Sequence, residues 1–257
     1  MPAVDDGAAN IDECRTGLTT LSEQGVRTIV TTPHFRASQT VRPAELESSL
    51  IAHDVAFATL LELAASEFPQ LRIERGIELM LDVPAPVLSD ERLRLAGTSC
   101  VLIEFPHMNI PPHSTLALRE MRAGGVIPII AHPERYSNMA ESFHLIESWR
   151  DVGAGIQINS GSVVGQYGDR ARKLAWAILY RGWADYLSSD YHSRGRCSIS
   201  QCAAVLSERG AGGQLQMLTL TNPERMLSSE PPLPVEPVEE VQESFWRRLL
   251  KNTIAQG

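Results

Sequence analysis

One apolar run that stops on an imidazole or a carboxylate constrains little. This chain repeats that pattern along most of its length, and the repetition constrains the fold. VRTIVTTPH ends at His34, LRIERGIEL near Glu78, CVLIEF at Glu104, VIPIIAH at His132, GIQINS near Asn159, and ADYLSSDYH at Asp190 and His192. Each is rich in β-branched or other apolar residues and short enough for a strand. Helical stretches lie between them. Asn10 with Glu13 forms the pattern of a capping box, opening a helix that ends near Gly25. Pro43 opens a long one to about Glu67, with Leu46, Leu50, Val55, Leu60, Leu61 and Leu63 supplying apolar faces. Further helices are expected over Ser114–Ala123, Glu141–Arg150, Asp169–Arg181, Ile199–Glu208 and Pro223–Leu227.

Strands that are apolar on both faces and alternate with helices imply a parallel sheet covered by helices, an α/β fold. If the sheet curls into a barrel, the C-terminal ends of its strands share one rim, where active sites of that architecture sit. His34, Glu78, Glu104, His132, Asp190 and His192 are then expected in one pocket. Histidines and carboxylates together suit manganese, iron or zinc. Clustered metals suit phosphate-ester hydrolysis, because they acidify water and neutralise charged oxygens. Arg135, Arg194 and Arg196 follow these positions closely, and a guanidinium fork matches phosphate oxygens. His53 and His144 fall in helices, and His107 and His113 in a loop, where packing or surface roles are expected.

A thiol route to phosphate chemistry fails by counting. It needs an arginine six positions after the cysteine, and those positions after Cys14, Cys100, Cys197 and Cys202 hold Thr20, Pro106, Ala203 and Glu208. The net charge of −8 argues against a nucleic-acid partner, which would need a basic face. The four scattered cysteines carry no disulfide-framework pattern. No basic region followed by an apolar one opens the sequence, and no run reaches the roughly 20 apolar residues of a membrane span. A cytoplasmic protein is expected. Residues 228–243 are rich in proline and glutamate and read as a linker. The amphipathic SFWRRLLKNTI that follows would pack on the domain or dock a partner or membrane surface.

VDDG, TTPH, GIEL, LIEFP, IIAHPERY, QINSGS and SSDYHSRGR stand in an order that resembles the PHP (polymerase and histidinol phosphatase) superfamily. Within it the chain is similar to the bacterial manganese-dependent protein-tyrosine phosphatases of capsule and exopolysaccharide synthesis, the CpsB/CapC type. The resemblance runs from about Val4 to Leu227, so residues 1–227 are taken as the phosphatase domain and 228–257 as linker and tail. It implies a distorted (β/α)7 barrel and up to three metal ions, manganese first, with iron or zinc as alternatives. Asp6, His34 and His192 would hold one ion, and Glu78, Glu104 and His132 another. Glu78 would bridge, with Asp190 completing the ligand set. Arg135 and Arg196 would grip phosphate. The implied substrate is a phosphotyrosine-bearing protein, the tail of a bacterial tyrosine kinase; an oligomer is compatible with this. Alternatives are a phosphoesterase acting on a small phosphate monoester and a weakly active form that only binds the kinase. The family's opening strand with D-x-H-x-H is missing before VDDG. The expectations are therefore a barrel lacking its first strand, two metal sites, and a start assigned too far downstream.

Overall fold

Proline and glycine decide where the apolar runs break. The computed structural model describes residues 1–4, 6–139 and 143–240. Among the described residues the runs form eight strands: β1 Thr28–Val30, β2 His34–Arg36, β3 Arg72–Glu74, β4 Glu78–Met80, β5 Cys100–Glu104, β6 Ile127–Ala131, β7 Gly155–Asn159 and β8 Tyr186–Ser188. Every pairing is parallel, in a six-stranded sheet ordered β2-β4-β5-β6-β7-β8 and a separate β1-β3 pair. The helices are α1 Ile11–Glu23, α2 Ala37–Thr40, α3 Pro43–Glu67, α4 Ser114–Ala123, α5 His144–Asp151, α6 Ser160–Val163, α7 Gly168–Leu179, α8 Ile199–Glu208, α9 Gly212–Gln216 and α10 Asn222–Leu227.

Two expected strands each split in two. Residues 26–34 break before Pro33, which has no N–H for a ladder, and residues 71–79 break around Gly76. The breaks lie side by side: Thr31 N–H donates to Glu74 O at 2.9 Å, and Glu78 N–H to Pro33 O at 2.9 Å. A Cβ on Gly76 would sit 2.9 Å from the Thr31 carbonyl oxygen and 2.8 Å from Leu95, so only glycine fits. His34 and Glu78 therefore begin β2 and β4 rather than ending longer strands, and the register sets them opposite each other. Asp190 and His192 lie in the loop beyond β8.

Alternate residues of the central strands feed opposite sides, as a two-period strand must. Val101, Ile103 and Ile130 join the main core, while Cys100, Leu102, Ile129 and Ala131 join a second cluster. Both faces are thus buried. Asn10 caps α1 by accepting from Glu13 N–H at 3.0 Å, and the Glu13 carboxylate accepts from Ala9 N–H at 2.9 Å. α3 opens at Pro43 as expected, and it is long and apolar enough on average to cross a membrane. Leu50, Leu60 and Leu63 on it face the body of the protein. The helix expected from Glu141 starts at His144, and residues 140–142 lie outside the described ones.

The closing helix is longer than the expected Pro223–Leu227. α9 runs through a π-helical turn, Met217–Thr221, into α10. The wide turn ends at Thr221, two residues before Pro223, whose missing N–H cannot continue the α pattern. The proline-rich stretch expected as a linker packs on the body. Leu233 N–H donates to Asn222 Oδ1 at 2.8 Å and Val238 N–H to Leu179 O at 3.0 Å, with Val235 and Val238 buried. Its valines supply the apolar contacts that a composition count overlooks. The SFWRRLLKNTI segment lies outside the described residues.

Candidate metal centre

A cavity of about 310 Å³ is lined by Asp6, His34, Glu78, Glu104, His132, Arg135, Asp190, His192 and Arg196, together with Gln166, Tyr167, Tyr191 and Arg194. All nine expected site residues thus share one space.

Local geometry explains how each arrives. His34 and Glu78 face one another across the β2–β4 ladder, with His34 Nδ1 3.3 Å from Glu78 Oε2. Glu104 closes β5 on the next strand over. His132 follows β6 with φ 35° and ψ 54°, a left-handed conformation unusual for a residue with a Cβ. Pro133 then starts the tight turn Pro133–Arg135. In such a turn residues three apart eclipse, so Arg135 comes to the same side as His132. Glu134 goes elsewhere: it is fully buried and accepts the Asn159 N–H at 2.9 Å, tying this turn to the end of β7. Burial raises its carboxyl above the usual range. Asp190 also has a positive φ, 49°.

The donors fall into two groups. Those of Asp6, His34 and His192 lie within 4.8 Å of one another, and so do those of Glu78, Glu104 and His132. These are the two groupings that the resemblance implies. Glu78 stands between them, offering Oε2 to His34 and Oε1 to His132 Nε2 at 3.2 Å. Asp190 has a different neighbourhood, accepting from Arg135 Nη1 at 2.6 Å and from Asn159 Nδ2 at 2.7 Å. Arg135 is held on a second side by the Tyr167 ring, 4.2 Å from its guanidinium carbon. Arg194 reaches back to Glu13 on α1 at 3.0 Å.

The electrostatics suit a cation. Burial raises the Glu104 carboxyl above its ordinary range, and the neighbouring Glu78 charge adds to this. Burial opposes protonation of His132, but its hydrogen bond to the Glu78 carboxylate and the charge of that carboxylate outweigh it and raise the imidazole. A buried carboxylate, Glu78, beside the partly buried Glu104 calls for positive charge, and the oxygen and nitrogen donors at this spacing fit a first-row divalent ion. The residues present therefore fit metal. The cysteines do not offer an alternative. Burial raises all four thiols, Cys202 to about 12, whereas a nucleophilic thiol needs a lowered pKa.

Gln166, Tyr167 and Tyr191 were not expected here. Tyr191 sits between two expected ligands, and Gln166 and Tyr167 lie between Gly165 and Gly168, both at positive φ. That glycine pair in VVGQYGD was the one available signal of a tight loop at the rim. His53 is buried, with Nδ1 2.8 Å from Ser49 O, and His144 is exposed beside Glu147. His107 and His113 lie outside the cavity at positive φ.

Known proteins similar to this chain are tyrosine-protein phosphatases. The tyrosine-protein phosphatase YwqE of Bacillus subtilis (strain 168) is 28% identical over 252 residues, spanning 92% of this chain and 94% of that protein. The tyrosine-protein phosphatase CpsB of Streptococcus pneumoniae is 27% identical over 236 residues, 88% of this chain and 95% of that protein. A solved structure from work on YwqE and CpsB as metal-dependent tyrosine phosphatases matches with a TM-score of 0.73 at 28% identity, covering 91% of this chain and 96% of that one. A family model for capsular polysaccharide synthesis proteins, CpsB/CapC, matches residues 1–228. The chain belongs to the CpsB/CapC family.

Proposed function

We propose that this protein is a metal-dependent protein-tyrosine phosphatase of capsule or exopolysaccharide synthesis. Its substrate in this proposal is a phosphotyrosine-bearing protein, the tail of a bacterial tyrosine kinase, met in the cytoplasm. The observation that carries this is the single cavity in which two donor groups, joined by Glu78, face Arg135 and Arg196. Asp6, His34 and His192 would hold one ion, and Glu78, Glu104 and His132 a second, manganese before iron or zinc. Asp190 with Glu78 would contribute to a third position. Bound metal supplies acidified water and neutralisation of phosphate oxygens. Arg135 and Arg196 bind and orient the phosphoryl group through charge-assisted hydrogen bonds. A tyrosine phenolate, with a conjugate-acid pKa of about 10, leaves without strong help from a protein acid. The six-stranded sheet with the β1-β3 pair beside it supports a distorted barrel, open between β2 and β8.

The test uses a phosphotyrosyl peptide and histidinol phosphate as substrates. Chelation should abolish hydrolysis of the peptide, manganese should restore it, and replacing all four cysteines should leave it intact. Hydrolysis that resists chelator and is stopped by a thiol alkylator would overturn the mechanism. Exclusive action on histidinol phosphate would overturn the substrate.

A further inference from the structure

A second groove, of about 640 Å³, lies between α6, α7 and α8 and shares no lining residue with the metal centre. Arg172, Lys173, Arg181 and Arg209 line it against one carboxylate, Glu240. In a chain of net charge −8 this is a local reversal of sign. Arg172 has Asp169 3.3 Å away on the exposed rim, a pair that solvent and salt weaken. Arg209 stacks on Trp176 at 4.1 Å and donates to Tyr180 Oη at 3.0 Å. Those contacts fix its position without neutralising its charge. Val163, Val164 and Val205 give the groove an apolar floor. Cations around an apolar floor suit a peptide in which carboxylates alternate with aliphatic side chains.

The chain's own residues 235–240 show how such a sequence lies against the protein body, with its last residue, Glu240, lining the groove. Val235 and Val238 are buried, and Glu236 and Glu239 are exposed. The groove also adjoins the metal centre. Val163 and Val164 line one, while Gln166 and Tyr167 line the other. Three Cα–Cα steps from residue 164 to 167 span at most roughly 11 Å. An extended peptide advances about 3.3 Å per residue. A phosphotyrosine in the metal centre therefore places residues from about three positions away at the near edge of the groove.

We propose that this groove binds an acidic, aliphatic-bearing stretch of the substrate protein, a few residues from the phosphotyrosine. Its role in turnover rests on the phosphatase assignment; the binding itself does not. The test titrates the full-length protein into a fluorescein-labelled decapeptide of alternating valine and glutamate, and into the same peptide with glutamine for glutamate, followed by anisotropy. The acidic peptide should bind at least about tenfold more tightly, and less so as salt rises. Arg172→Glu with Lys173→Glu should cost about tenfold in that affinity, and Arg135→Ala should leave it unchanged. The double variant should raise KM for a phosphotyrosyl peptide with an acidic flank about tenfold, with p-nitrophenyl phosphate turnover as in the parent. Equal binding of the two peptides, or no loss on charge reversal, overturns the site. A preference for phosphatidylserine vesicles or an acidic polysaccharide over the peptide does so too. Charge-dependent peptide binding by a protein without phosphatase activity would uphold the groove and overturn the proposed function instead.

Discussion

Substituting Arg135 distinguishes a group that acts on phosphate from one that only holds the loop together. Its guanidinium donates to Asp190 Oδ2 at 2.6 Å, lies 4.2 Å from the Tyr167 ring, and is about one-quarter exposed. Arg135→Ala leaves Asp190 with the Asn159 Nδ2 contact at 2.7 Å. The structural loss is then that of one partly buried charged hydrogen bond, about 1.5–3 kcal/mol. The fall in melting temperature is about 2–4 °C per kcal/mol for a domain of this size. The catalytic loss should be separate. Removing one preorganised donor to a developing charge costs about 100- to 1,000-fold in kcat, or roughly 3–4 kcal/mol. Arg135→Lys keeps the charge but loses the planar fork, so it should recover part of the rate. The assay is kcat and KM on p-nitrophenyl phosphate with manganese-saturated protein, beside thermal unfolding of the same samples. Parent-like kcat in the alanine variant, accompanied by a lowered melting temperature, would refute a role on phosphate.

Two further outcomes follow from the same contacts. Manganese at about 100 times its dissociation constant should stabilise the protein by about 2.7 kcal/mol per site, raising the melting temperature by roughly 5–10 °C in differential scanning fluorimetry; no shift would contradict the ligand assignment. Tyr136→Phe should cost about 1–3 kcal/mol in chemical denaturation, because the buried Phe105 N–H, 3.0 Å from Tyr136 Oη, loses its acceptor.

Residue type and order carried most of the site, because ligands and clamps must be histidine, carboxylate or arginine whatever the backbone does. Backbone breaks were less legible. His34 and Glu78 were expected to end strands and instead begin them, since Pro33 and Gly76 act as a pair only when two distant segments lie side by side. Glu134 shows the opposite difficulty. Its position next to His132 and Arg135 looks chemical, yet the turn geometry sends it into the core as a partner for Asn159 N–H. Tyr167 carries neither metal-ligand chemistry nor charge, and its place beside Arg135 depends on the Gly165–Gly168 loop. The packed course of residues 231–238 was hidden by composition, because a few valines anchor a stretch otherwise typical of linkers.

The two donor groups differ in how much order they need to acquire, and this sets an order of filling. Glu78, Glu104 and His132 stand on or directly after β4, β5 and β6, which are successive neighbours in the sheet. Their side chains are 4%, 17% and 2% exposed, so they have little freedom left to lose. The other group spans the seam between the sheet's two edges. His34 comes from β2 and His192 from the loop after β8, with ring centroids 5.9 Å apart, and Asp6 bridges them at 3.9 and 3.4 Å. Here the side chains are 34%, 34% and 66% exposed, and each must be fixed when an ion binds. The buried group should therefore fill first and hold more tightly. Calorimetric titration of metal-free protein with manganese should resolve a tight class lost in Glu104→Gln and a weaker class lost in Asp6→Asn. A tight class that survives Glu104→Gln and disappears in Asp6→Asn would reverse the order and show that the seam, not the sheet, is the preformed part of the centre.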